Sequence, residues 1–315
     1  ILAQMLYNLL SSILRAIGNS KIPLYFLIIS ALLNILLDLL LIVGFHMGAT
    51  GAAVATIIAQ GVSGILCLIY IIAKIPVLHL TRNDLHAGKE VYGIQLKIGL
   101  PMALQYSITA IGSMMVQSSL NILGSTLVAA FTAAGKIEQV VTQAYVAMGT
   151  TMATYSAQNM GAGSVKRIRE GFRANTIIGI IYSLVAAAFV MTVGKYMTYL
   201  FVSEDVDLIM NSVDIYLKCI GLFFIPLTVV NIYRNGIQGL GYGLLPMMAG
   251  VAELIGRGIV AVIAGNMRSY TGVCLAGPAA WVLAGGLLLV MYFYIMNVHM
   301  KKIFGTNGRD RKEAE

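Results

Sequence analysis

Nine apolar stretches, each near the length needed to cross a bilayer, follow one another along this chain: 1–14, 22–43, 51–73, 98–123, 126–152, 174–201, 208–233, 244–264 and 272–298. A helix of about 20 apolar residues crosses a hydrocarbon core of about 30 Å. In that medium backbone N–H and C=O groups must bond one another, so only helices or a closed barrel can span it. Runs this long predict helices. The composition agrees: 58% of the 315 residues are hydrophobic and 11% charged, against about 25% charged in a soluble chain. A soluble enzyme, a disordered chain and a disulfide scaffold are excluded. The three cysteines (Cys67, Cys219, Cys274) lie far apart in apolar runs without metal-ligand spacing, and read as small core residues. The expected fold class is an all-α integral membrane protein.

Basic residues fix an orientation. Fifteen of the 21 Lys and Arg fall on one side, in Arg15 and Lys21, the stretch 74–97, the run Lys166 to Arg173 and the tail after 300. Only Lys195 and Arg268 fall opposite, and four lie within spans. The positive-inside rule then places the C-terminus in the cytoplasm, in the plasma (inner) membrane, with the acidic strip Glu204, Asp205, Asp207 outside. The run Lys166-Arg-Ile-Arg169 reads as a cytoplasmic turn and topology anchor. A net charge of +8 needs no nucleic-acid partner on this reading. The polar stretch 74–97 reads as a cytoplasmic linker between 1–73, the remainder of an N-terminal bundle, and 98–298, a C-terminal six-helix bundle; 299–315 is a tail.

The chain repeats itself. Residues 7–43 align with 230–266 at an offset of 223, matching Asn8 to Asn231, Gly18 to Gly241 and Pro23 to Pro246. After a two-residue loop change, Gly51, Ala55 and Gly64 match Gly272, Ala276 and Gly285. The first span pairs with the seventh, so both copies cross in the same direction, as in transporters with parallel repeats. The second copy holds six spans and the first only its last three. The repeat therefore predicts about 125 further residues and three spans upstream.

Charges at membrane depth are costly and mark functional candidates. Lys136 lies about 15 Å along its span and Glu138 one step deeper; two residues apart, their side chains diverge by about 200°. The stripe Glu138, Thr142, Tyr145, Gly149, Met152, Ser156 has helical spacing and predicts a cavity-lining face, with Lys136, Gln139, Gln143 and Thr150 beside it. Glu138 would attract a cation or take a proton. Glu253 and Arg257, at i and i+4, predict an ion pair; Ser30 and Asn34 occupy their positions in the other copy. Asp38, one turn beyond Asn34, predicts a structural cap or hydrogen bond, with ion binding as the alternative. Asp214 and Lys218 form a second i, i+4 pair, and Arg234 is expected to snorkel. Gln105, Tyr106, Met102 and Gln117 give the fourth span a polar and aromatic character suited to cations. Pro101 and Pro226 are expected to interrupt their spans. His46, His79, His86 and His299 do not cluster and suggest no metal site.

Several stretches together resemble the multidrug and toxic compound extrusion (MATE) transporters of the flippase-like MOP superfamily. They are Leu14-Arg-Ala-Ile-Gly-Asn-Ser-Lys-Ile-Pro23 with Asn34-Ile-Leu-Leu-Asp38; Gly48-Ala-Thr-Gly-Ala-Ala-Val-Ala-Thr56; Gly99-Leu-Pro-Met102; Gln158-Asn-Met-Gly-Ala-Gly163; and Gln238-Gly-Leu-Gly-Tyr242 with Pro246-Met-Met-Ala-Gly-Val-Ala-Glu-Leu254. The resemblance covers what would be spans four to twelve. It implies two pseudo-symmetric six-helix bundles facing a central cavity, the first three helices lying outside this chain. It further implies export of cationic, amphipathic compounds in exchange for Na⁺ or H⁺ by alternating access, without a cofactor, by a monomer. One branch of that family has an acid where this chain has Thr109 and another near Val229, so that branch's cation site is not carried over. A second branch places its coupling Asp in the first span. A lipid-linked precursor flippase of the same superfamily would favour a more cationic cavity, for which Lys136 and Arg257 are available. An inactive truncated product is the remaining alternative. A membrane enzyme would need paired acids, a metal site or an activated nucleophile, and the sequence offers none.

Overall fold

The computed structural model describes residues 2–79, 88–200 and 206–300. All the regular elements among them are helical. The chain divides into two units, Ile1–Lys89 and Glu90–Glu315.

In the first unit α1 (Leu2–Ala16) and α2 (Lys21–Asp38) both pack along α3 (Gly48–Lys74) and touch one another little. Small residues set the distances. A β-carbon on Gly64 would stand 3.1 Å from Leu6 Cδ2, so α1 can close on α3. Ser30 Oγ, on α2, donates to the Ala59 carbonyl of α3 at 2.8 Å. Leu10, Leu14, Cys67 and Ile71 form the small buried core. Beyond Asp38 the helix does not stop but widens into a π-helical turn, Leu39–Gly44.

The second unit holds α4 (Lys89–Asn121), α5 (Ser125–Gly161), α6 (Val165–Thr192), α7 (Val206–Gly221), α8 (Phe224–Gly239), α9 (Leu244–Asn266), the short α10 (Tyr270–Cys274) and α11 (Ala276–Tyr294). α8 packs on α5, α6 and α11, and α11 packs also on α9. Glycines allow these approaches: a β-carbon on Gly239 would lie 2.2 Å from the Ala153 carbonyl oxygen, and one on Gly236 2.3 Å from the Phe172 ring. Polar side chains bond across the same interface. Ser183 and Thr228 hydroxyls meet at 2.7 Å, Tyr145 donates to Ser183 at 3.2 Å, and all three are buried. Buried hydroxyls left unpaired would cost about 1–3 kcal/mol each; here each finds a partner.

Among the described residues, five helical segments are long and apolar enough to cross a membrane: Lys21–Gly44, Gly48–Lys74, Val165–Thr192, Leu244–Asn266 and Tyr270–Val298. The pair α7–α8 makes a sixth if read as one span. α4 and α5 are longer, at 33 and 37 residues, with Pro101 inside α4. The protein is a multi-pass membrane protein.

Several expectations need correction. The span 208–233 is not continuous: it breaks after Gly221, and its halves meet at 53°. Pro226 stands just past this break, in the first turn of α8, and its missing N–H cannot bond the Leu222 carbonyl four residues back, so the expected interruption is found there. Pro101, by contrast, does not end α4, which runs on through it. The basic run after Gly163 is not a turn: α6 begins at Val165, so Lys166, Arg167, Arg169 and Arg173 ride on its first turns. Arg169 reaches across to donate to the Met296 carbonyl at 2.9 Å. Helix also covers 89–97 of the expected linker. The strip Glu204 and Asp205, together with His86 and the basic tail after 300, lies outside the described residues.

The matched turns of the repeat share one geometry. Gly18 has φ +88° and Gly241 φ +91°. In the first copy Gly18 N–H donates to the Arg15 carbonyl and Asn19 N–H to that of Leu14. In the second, Gly241 N–H donates to Gln238 and Tyr242 N–H to Ile237. Both are Schellman endings, with glycine at the left-handed position.

Candidate functional site

A pocket of about 320 Å³ lies within the second unit, walled by α4, α5, α7, α9, α10 and α11. Its carboxylate is Glu138, half-buried on α5. One turn earlier on the same helix, Gly135 leaves open space where a side chain would stand. Tyr216, buried on α7, donates its hydroxyl proton to Glu138 Oε2 at 2.5 Å. The Phe131 ring meets Tyr216 edge-on at 4.7 Å. Trp281 and Pro278 complete an apolar wall from α11.

The opposite charge is Arg257, on α9. Gly256 and Gly258 flank it. A β-carbon on Gly256 would stand 2.4 Å from Leu283 of α11, and one on Gly258 2.7 Å from Met115 of α4. Their bareness lets α9 nest between those helices and aims Arg257 into the pocket. Arg257 Nη2 donates to Glu253 Oε1 at 2.6 Å, and Nη1 to Ser113 Oγ at 3.2 Å. Arg234, from α8, donates to the other oxygen, Glu253 Oε2, also at 2.6 Å. Glu253 is 4% exposed. One buried carboxylate thus holds two guanidinium groups, leaving one positive charge unmatched inside the cluster. Glu138 and Arg257 interact electrostatically across the pocket. The arrangement offers a polar volume of both signs inside an apolar helix bundle.

The other predicted site residues are scattered. Lys136 is exposed on α5 and does not line the pocket. Thr142 is half-buried and donates to the Gln139 carbonyl of its own helix. Tyr145, Met152 and Ser156 are fully buried against neighbouring helices. The expected single cavity-facing stripe is therefore split, because α6 and α8 pack over its second half. Gln105 is buried and accepts from Gln238 Nε2 at 3.0 Å, whereas Tyr106 is 69% exposed and faces away from the pocket. Arg234 does not snorkel; its side chain is 14% exposed and spent on Glu253. Lys218 and Asp214 pair at 2.5 Å. In the first unit, Asn34 Nδ2 and Asp38 Oδ1 are buried without a hydrogen-bond partner among the described residues. Asp38 makes no capping bond. The helix continues past it as a π turn, so no free N–H group awaits a cap. Among the described residues no three His, Cys, Asp or Glu side chains gather as a metal site.

A family model described as MatE matches residues 100–263, just over half of the chain and the whole wall from α4 through most of α9. The chain belongs to the MatE family. Its relatives include the probable multidrug resistance protein YpnP of Bacillus subtilis, 35% identical over 232 residues, covering 73% of this chain and 51% of that protein. The multidrug export protein MepA of Staphylococcus aureus is 24% identical, covering 82% and 54%. The chain spans about half the length of these curated relatives. A MOP superfamily transporter from Pyrococcus furiosus has the same fold, with a TM-score of 0.86 at 21% identity over 92% of this chain and 66% of that one.

In this MatE chain the residues that partner Glu138 and Glu253 from other helices were the ones hardest to see. Tyr216 is 78 positions from Glu138 and sits between Asp214 and Lys218, whose pairing gives no hint of what the opposite face touches. Arg234 stands at the cytoplasmic end of a span on the sequence reading; the turn at Leu240–Gly243 folds it back within guanidinium reach of Glu253. The one available signal was charge: three ionised groups near one turn, two of them positive, require a shared carboxylate if all are buried.

Proposed function

We propose that this chain works as, or within, a secondary multidrug efflux antiporter. It exchanges amphipathic organic compounds, chiefly cationic, for Na⁺ or H⁺ by alternating access. It does so as a monomer in the plasma (inner) membrane, with its C-terminus cytoplasmic and with no cofactor or nucleic-acid partner. The names of its relatives, multidrug resistance and multidrug export proteins, support the export reading. The observation that carries the mechanism is Glu138, a carboxylate fixed by Tyr216 at the edge of a pocket with aromatic walls. Ionised, it attracts the cationic end of a compound; protonated, it releases it. Asn34 and Asp38 supply a second candidate for coupling, since buried polar atoms without partners are costly in a membrane helix.

The test is dye efflux from cells lacking their own exporters. Glu138→Gln and Asp38→Asn are each compared with the parent under an imposed Na⁺ gradient and under an imposed pH gradient. Glu138→Gln is expected to slow efflux strongly and to blunt the response to one gradient. Unchanged efflux and unchanged ion dependence would remove Glu138 from the mechanism. The same outcome for Asp38→Asn would remove Asp38 from the mechanism.

A further inference from the structure

We propose that the groove between α5 and α6 holds an anionic phospholipid, with its phosphate on the first turns of α6 and one acyl chain along the groove. α6 carries two neighbouring rows on its exposed face. One reads Lys166, Glu170, Arg173, Ile177, Ile181; the other reads Arg167, Gly171, Ala174, Ile178, Val185. Their steps of three, four or seven residues keep each row on one side of the helix. Both rows begin with charge and end with exposed aliphatic side chains. In a membrane span such side chains meet lipid tails, and basic residues at its end meet headgroups.

The groove itself has a volume of about 340 Å³ and is lined by Met152 and Tyr155 of α5 and by Gly171, Ala174 and Ile178 of α6, among others. A β-carbon on Gly171 would stand 2.2 Å from the Tyr155 ring, so the ring crosses bare backbone there. Two polar side chains in the lining are already spent. Thr151 donates to the Ala147 carbonyl at 2.9 Å and Asn175 to the Met148 carbonyl at 3.0 Å. With those bonds made, the floor suits an acyl chain better than a polar solute.

Charge names the headgroup. Glu170, at the rim of the groove, faces Lys166 at 4.0 Å, and that pair cancels. Arg169 is taken by the Met296 carbonyl. Arg167 and Arg173 have no hydrogen bond or ion pair among the described residues. Arg167 stands one turn before Gly171, on the groove's own row. Two guanidinium groups without a counter-charge select a headgroup of net negative charge, and a guanidinium fork matches phosphate oxygens. A zwitterionic headgroup brings its own ammonium and gains less. A second copy of the chain, paired two-fold through this face, would set basic turn against basic turn.

The test gives the purified protein, in detergent micelles, an equal mixture of dioleoyl phosphatidylglycerol and dioleoyl phosphatidylethanolamine. Native mass spectrometry then counts the lipids that each protein retains. One phosphatidylglycerol is expected to be kept over phosphatidylethanolamine by about fivefold or more, the effect of one basic residue at a membrane surface. Arg167→Gln should remove most of that preference. Ala174→Phe, at an exposed position in the groove, should lose the bound lipid while keeping every charge. Equal retention of the two lipids by the parent protein, or retention of neither, would overturn the proposal. A preference that survives Arg167→Gln would overturn it, as would one that survives Ala174→Phe, since charge alone would then suffice without the groove. A dimer whose mass is halved by Ala174→Phe would assign the face to a second copy and overturn it as well. Should Ala174→Phe not fold, Ile178→Trp, exposed further along the groove, takes its place with the same reading.

Discussion

Gly239 lies so close to Ala153 that a single added β-carbon would stand 2.2 Å from the Ala153 carbonyl oxygen. That contact draws α8 against α5, the helix that carries Glu138. Backbone cannot yield as a flexible side chain can, so the helices must separate. Gly239→Ala is expected to cost about 1–3 kcal/mol, the usual range for overpacking, read as a lower melting temperature in detergent micelles.

Glu253 bonds two arginines, and removing its charge strands both. Glu253→Gln is expected to destabilise the protein by about 3–5 kcal/mol, the penalty for leaving buried charges unpaired. The double variant Glu253→Gln with Arg234→Gln removes one stranded charge and should recover part of that loss. Melting curves of the parent, both single variants and the double variant check this; a double variant as unstable as the sum of the two singles would contradict it.

The bond from Tyr216 to Glu138 predicts energetic coupling between them. Tyr216→Phe and Glu138→Gln are each expected to be milder in the other's background, with a coupling energy of about 1.5–3 kcal/mol for a hydrogen bond to a charged group. A four-state cycle of stabilities measures it. Additive effects would mean that the two side chains do not share a proton in solution.

Gly18 and Gly241 give a matched pair of predictions. Both are left-handed, and a β-carbon at either would meet nothing within 4 Å. The cost of alanine is therefore conformational only, about 1–2 kcal/mol. Gly18→Ala and Gly241→Ala should lose similar stability, although the surroundings of the two turns differ. Thermal melts of the two variants side by side provide the comparison.

The parts of this protein that were legible in its sequence are those set by short-range spacing. Glu253 and Arg257 were paired from their i, i+4 separation, as were Asp214 and Lys218. The turns at Gly18 and Gly241 were matched from the repeat alone. What the spacing could not reveal is what a helix face meets. Tyr145 follows Glu138 by two helical turns and belongs to the same stripe, yet it is buried against Ser183 while Glu138 borders a pocket. The difference lies in α6 and α8, which cover only one end of α5. The break after Gly221 is signalled by Pro226 and not by hydropathy: Leu222 and Phe223 are as apolar as the span around them, so hydropathy runs smoothly across a bend of 53°.

That bend has an electrical consequence. Each helix carries roughly half an elementary charge at its ends, negative at the C-terminus and positive at the N-terminus. α7 ends and α8 begins within three residues of one another, next to Ile220 in the pocket wall. A fixed dipole therefore sits at the bend, made of peptide groups and independent of any side chain. Substitutions at Glu138 or Arg257 leave that field in place, so it persists in every variant of the pocket's charged side chains.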